Sequence, residues 1–161
     1  MASLLGTSDW RFLFRQEQGV IDARTWRLGA LTLAAPMVAM TLLWFALLPY
    51  ANKSLDERAL LDPLTIIAYA YLMVFATAIL LAAVSFYFLS AKRWRGLAKP
   101  ASFAGLPLVA GLATGGAHWL QPRVSEVMPG AIVTACDVAL IALIAWQLYE
   151  LGFARPPAPG P

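Results

Sequence analysis

Hydrophobic positions in this chain gather into four long runs, and the polar stretches between them are short. The runs cover residues 28–50, 64–89, 101–120 and about 131–149. Each is near or above the ~20 residues that a helix needs to cross ~30 Å of hydrocarbon. Lipid offers the backbone no hydrogen-bond partner, so each run is predicted to be helical through its span. Apolar and polar positions do not alternate at period two, which argues against a membrane barrel. The expected fold is all-α, a polytopic membrane bundle of four transmembrane helices. Residues 1–27 then form a cytoplasmic or interfacial segment, residues 28–151 the transmembrane domain, and residues 152–161 a Pro-rich cytoplasmic tail.

Composition agrees with this reading. Hydrophobic residues make up 60% and charged residues 13%, against about 45–50% and about 25% in soluble domains. The first run exceeds the ~7–15 residues of a signal-peptide core, and a long polar segment precedes it, so it is expected to remain as a membrane helix. Arg11, Arg15, Arg24, Arg27, Lys92, Arg93, Arg95, Lys99 and Arg155 fall on one side of the predicted spans, and only Lys53, Arg58 and Arg123 on the other. Lys and Arg near span ends mark the cytoplasmic side. Both termini are therefore expected inside, at a bacterial inner membrane.

Residues 8–27 mix Trp10, Phe12, Phe14, Ile21 and Trp26 with arginines, the pattern of an interfacial segment feeding the first span. Gly19 suits a turn. Asp22 is placed to cap a helix starting at Ala23, and Ile21 with Trp26 fits a hydrophobic staple. The loop holding Asp56, Glu57, Arg58 and Asp62 lacks calcium-loop spacing and reads as solvated.

Asp137 is the one acid well inside a run. A carboxylate at mid-membrane costs about 2.5–3.5 kcal/mol, which the apolar residues of its own span roughly offset. It should face the bundle and find a donor. Thr134, Thr65, Tyr69, Thr77 and Ser85 are candidates. It then serves either as a helix-to-helix hydrogen bond or as a proton or ion site. His118, the single histidine, stands at the end of the third run and reads as an interfacial side chain; alone it builds no zinc site.

Gly111 and Gly115 form a small-xxx-small pair in the third run, and Ala135 and Ala139 repeat the spacing in the fourth. Such residues let membrane helices approach closely. Pro36 and Pro107 are expected to kink their spans. Arg24, Lys92, Arg93 and Arg95 flank spans where phosphate headgroups lie, and Trp94 is placed as an interfacial anchor. Zincin, nucleophile-elbow, Walker and Cys-x-x-Cys motifs are absent. No catalytic residue, cofactor or metal site is expected, and no dense basic stripe points to nucleic acid.

Gly19, Ile21, Arg24 and Trp26 before the first span, the basic loop Lys92, Arg93 and Arg95 followed by Lys99 and Pro100, and Gly152, Pro159 and Gly160 in the tail carry a resemblance. In layout and in these motifs the chain resembles the domain of unknown function 805 family of small bacterial inner-membrane proteins. Gly96 stands where that family has a loop Asp, and the tail lacks its usual Asn. The resemblance implies a four-helix membrane protein and carries no chemistry. The leading expectation is a structural or accessory subunit, or a lipid-interacting module, whose partners are membrane lipids and a membrane protein or a second copy. The alternative is a small oligomeric transporter or proton-conducting unit centred on Asp137.

Overall fold

A computed structural model describes residues 7–51 and 62–156. Lys53, Asp56, Glu57 and Arg58 of the first loop, and Pro159 and Gly160 of the tail, lie outside the described residues. The described chain forms five α-helices: α1 (Thr7–Arg15), α2 (Ala23–Ala51), α3 (Pro63–Gly96), α4 (Leu106–Leu120) and α5 (Gly130–Phe153). Two 3₁₀ turns, Ala101–Gly105 and Gln121–Arg123, flank α4.

The helices start and stop for local reasons. Gly19 has φ +106°, and a Cβ there would stand 2.6 Å from the Phe12 ring, so the turn between α1 and α2 requires glycine. Asp22 Oδ1 accepts the Thr25 N–H at 3.0 Å, which caps α2. The end of α3 is a Schellman turn. Lys99 N–H donates to the Trp94 carbonyl and Ala98 N–H to the Arg95 carbonyl, both at 3.0 Å. Ala98 occupies its left-handed position at φ 54°.

Among the described residues, α2, α3 and α5 are long and apolar enough to cross a membrane. At 34 residues, α3 is about 51 Å long and reaches beyond ~30 Å of hydrocarbon. The third run does not form the continuous 20-residue helix expected of it. Pro100 opens a 3₁₀ turn, Pro107 sits in the first turn of α4, and only 15 residues follow as α-helix. That is about 22 Å. Pro107 therefore begins a helix rather than kinking one, because its missing N–H falls where no intrahelical partner exists. Pro36 does lie within α2.

Burial is inverted relative to a soluble bundle. The long helices expose large apolar side chains all round, among them Leu42 at 64%, Met73 at 71% and Ile141 at 66%. Water does not tolerate so extensive an apolar surface, and lipid does. The dense core instead lies at one end. There Leu13, Phe14, Ile21, Trp26, Leu89, Trp94, Leu97, Ala104 and Leu151 form one buried cluster. It joins α1, the start of α2, the ends of α3 and α5, and the turn before α4. Trp94, expected as an interfacial anchor, is fully buried, with ring centroids 5.4 Å from both Phe103 and Trp146. The apolar side of residues 8–27 likewise faces protein: Leu13, Phe14, Ile21 and Trp26 are in the core.

Candidate functional site

Basic side chains converge on this packed end, and most have a structural use. Lys92 is buried, and its Nζ donates to three carbonyls: Leu13 at 3.1 Å, Phe88 at 3.4 Å and Gln16. Two of those carbonyls belong to the C-terminal turn of α1 and the residue just past it. Arg93, 2% exposed, donates from Nε to the Leu151 carbonyl at 3.0 Å and from Nη2 to the Ala154 carbonyl at 2.6 Å. The last carbonyls of a helix have no partner within it and carry partial negative charge. Lys92 thus caps α1, and Arg93 caps α5. Arg95 bonds the Glu17 carbonyl and pairs with its carboxylate at 3.1 Å. Lys99 pairs with Glu150 at 2.8 Å. The headgroup role read for Lys92 and Arg93 therefore meets a different geometry, since both point into protein. A sequence shows that cations flank a span; it does not show which helix end they meet.

Gly96 makes this junction possible. A Cβ there would stand 2.9 Å from Val20 Cγ1 and 3.0 Å from the Ile21 carbonyl oxygen. The loop from α1 to α2 lies directly on the α3 backbone, where a larger residue would displace it.

Arg24 differs from Lys92 and Arg93. It is exposed, and among the described residues it has no hydrogen bond or ion pair. It lines a pocket of about 560 Å³ together with Arg27, Arg93, Arg155, Asp22 and Gly96. Its lining thus includes four arginines and one aspartate. The Thr25 side chain, then the Thr25 N–H, hold the Asp22 carboxyl below its usual range by hydrogen bonding, and the charge of Arg93 adds to this.

A second space, an apolar groove of about 690 Å³, opens among α2, α3, α4 and α5. Ala34, Ala83, Phe86, Leu108, Gln147 and Leu148 are among its walls. Arg27, Gly152 and Phe153 line both spaces, so the groove and the arginine pocket adjoin. Arg27 reaches the Gly152 carbonyl at 3.5 Å and stands 5.8 Å from the Phe153 ring centroid. Gln147 is 2% exposed, and neither its amide nitrogen nor its amide oxygen has a partner. In the sequence Gln147 is signalled only as an uncharged polar residue within an apolar run.

Asp137 finds its donor across the α4–α5 contact. His118 Nε2 stands 2.9 Å from Oδ1 and 3.2 Å from Oδ2. The other candidates bond elsewhere: Thr134 to the Gly130 carbonyl, Thr77 to Met73, Ser85 to Leu81, Tyr69 to Ala51 and Thr65 to the Asp62 carboxylate. Asp137 lies seven residues into α5, so the pair sits away from the arginine pocket, toward the opposite end of the bundle.

Helices α4 and α5 do pack together, through Thr114, Ala117 and Val133, and Thr114 Oγ1 donates to the Cys136 carbonyl at 3.3 Å. Of the predicted small residues, Gly111 is half-buried one turn before Thr114. Gly115, Ala135 and Ala139 are exposed, and a Cβ on Gly111 or Gly115 would meet nothing within 4 Å. The α4–α5 contact includes the Thr114 hydroxyl and the His118–Asp137 pair, and neither Gly111 nor Gly115 brings a neighbour within reach of a Cβ. Compared with protein-family models, with curated proteins and with solved structures, the chain finds no match.

Proposed function

We propose that this chain is a structural or accessory module of the bacterial inner membrane that crosses the bilayer four times, engages lipid and performs no catalysis. The observation that carries this reading is the use made of its basic side chains. Lys92 and Arg93, the cations at the end of α3, are buried and bonded to helix-end carbonyls. They brace the fold. The exposed apolar belt meets lipid.

The path of the chain supports a fourth crossing. Helices α3 and α5 both end at the packed end, so residues 97–129 return to the far end, and α4 with its 3₁₀ turns lies on that return. Seven of the described basic residues, from Arg24 to Arg155, gather in or beside the junction at that end, which supports a cytoplasmic location for both termini. Of the residues that carry the resemblance to the domain of unknown function 805 family, Gly19, Ile21, Trp26, Lys92, Arg93, Arg95 and Gly152 lie in this same junction, and on that resemblance the chain is proposed as a member. Reporter fusions after Gly96 and after Arg155 test the topology. Both are expected to fluoresce as cytoplasmic fusions, and activity of either as an exported reporter overturns the orientation. Native purification in mild detergent tests the accessory role. A defined complex or self-assembly is expected, whereas a lone monomer without a partner removes that role.

The His118–Asp137 contact favours a second reading, a small oligomeric transporter or proton-conducting unit. The contact brings two ionisable side chains together across α4 and α5, and ionisable residues within spans mark ion or proton pathways. Proteoliposome flux that depends on pH and disappears in Asp137→Asn supports it. Flux indistinguishable from empty vesicles rules it out.

A further inference from the structure

The arginine pocket and the apolar groove adjoin, and their chemistries are complementary to the two halves of one molecule. We propose that together they bind an anionic glycerophospholipid, with its phosphate among Arg24, Arg27 and Arg155 and an acyl chain in the groove between α2, α3 and α5. The inference rests on the reading of this chain as a membrane module and names the ligand class that the module takes.

Three observations converge. First, four arginines and a single acid, Asp22, are among the residues that line the pocket. Arg93 is committed to the α5 carbonyls, while Arg24 and Arg155 make no hydrogen bond or ion pair among the described residues. Guanidinium forks suit phosphate oxygens. Second, the groove is apolar, has a volume of the size that small-molecule pockets have, and meets the pocket at Arg27, Gly152 and Phe153. A headgroup and its chain can therefore be held without a break. Third, Gln147 lies in the groove wall with a buried, unpartnered amide. Leaving a buried donor and acceptor unmade is costly. Gln147 precedes Gly152 by five residues, about one and a half helical turns. The amide thus lies below the arginines, and its N–H is the donor for an ester carbonyl of the lipid. The site is thus ordered as such a lipid is: charge outside, one hydrogen bond below, hydrocarbon beneath.

Native mass spectrometry of the full chain in detergent, titrated with dioleoylphosphatidylglycerol or dioleoylphosphatidylcholine, tests this. One bound phosphatidylglycerol is expected at concentrations where phosphatidylcholine does not bind. Replacing Arg24 and Arg155 by Gln, which breaks no bond seen in the fold, is expected to weaken that binding about twentyfold, and adding Arg27→Gln about a hundredfold. Gln147→Leu is expected to weaken binding of both lipids while preserving the preference for the anionic one. Equal binding of the two lipids, or an unchanged arginine variant, overturns the proposal. So does full competition by inorganic phosphate, which would reduce the site to an anion pocket. Carbonate extraction of the same membranes separates the two readings. A chain released by carbonate fails as a membrane module, whereas a retained chain without lipid preference fails only here.

Discussion

Arg93 Nε on α3 donates to the carbonyl of Leu151 on α5 at 3.0 Å, across 58 residues of sequence. A cation that reads as a membrane flank is thereby the C-terminal cap of another helix. Its second bond, to Ala154, satisfies the backbone just beyond that helix. Membrane helices usually end in water or headgroups, where solvent satisfies their last carbonyls. Here α5 ends against protein, and Arg93 supplies what water would.

Arg93→Met keeps much of the side-chain volume and removes both bonds. The Leu151 and Ala154 carbonyls are then left without these donors. A loss of about 2–4 kcal/mol is expected, read as a lower midpoint of thermal unfolding in detergent. Arg93→Lys is expected to recover only part of it, because one ammonium cannot reproduce the guanidinium fork. A midpoint unchanged in both variants contradicts the capping role.

Ala98 occupies a left-handed position that costs an alanine about 1–2 kcal/mol. Glycine removes that cost and returns part of it as unfolded-chain entropy. Ala98→Gly should therefore stabilise the fold by about 0.5–1 kcal/mol. Thermal denaturation of the two proteins side by side decides this, and a lower midpoint for the glycine variant would contradict the Schellman geometry.

Asp22 caps α2 with a carboxyl whose pKa is depressed by hydrogen bonds from Thr25. A depressed carboxyl contributes stability above its unfolded pKa and loses it as pH falls through the folded value. The contribution should be complete at neutral pH and decline below about pH 4. Asp22→Ala is expected to cost about 1 kcal/mol at pH 7 and to differ little from the parent at pH 2. A gap between the two that stays constant from pH 7 to pH 2 would exclude the carboxylate as its source.

Gly96 admits no Cβ without moving the Val20–Ile21 loop. Gly96→Val is expected to cost about 1–3 kcal/mol by overpacking. It should also speed proteolysis in the α1–α2 linker, because the loop can no longer seat. Limited trypsin digestion, with Arg24 and Arg27 as nearby cleavage points, reports this directly.

Much of the local structure is legible from neighbours in sequence. Asp22, Gly19 and the apolar run after Leu28 place the start of α2, because a cap, a turn and a hydrophobic stretch each depend on residues within a few positions. The third run shows where this legibility stops. Its composition fits a span, but Pro107 marks the point where it divides into a 3₁₀ turn and a 15-residue helix. Hydropathy sums over that break, while the backbone cannot ignore a missing donor. The GxxxG spacing was equally visible, yet spacing does not say which face meets a neighbour. In the fold Gly115 faces outward and Thr114 faces α5.

By itself the sequence determined the solvent this protein requires, the number of apolar runs and where most helices begin. These follow from transfer energies and short-range backbone chemistry, which act residue by residue. Only the tertiary structure decided what the polar groups do. It set Lys92 and Arg93 on helix-end carbonyls, paired His118 with Asp137, and enclosed Gln147 beside an arginine pocket. Each of those outcomes joins residues from different helices. In a low-dielectric interior a charge or amide takes whichever partner the packing delivers, and the order of residues along the chain does not specify that partner.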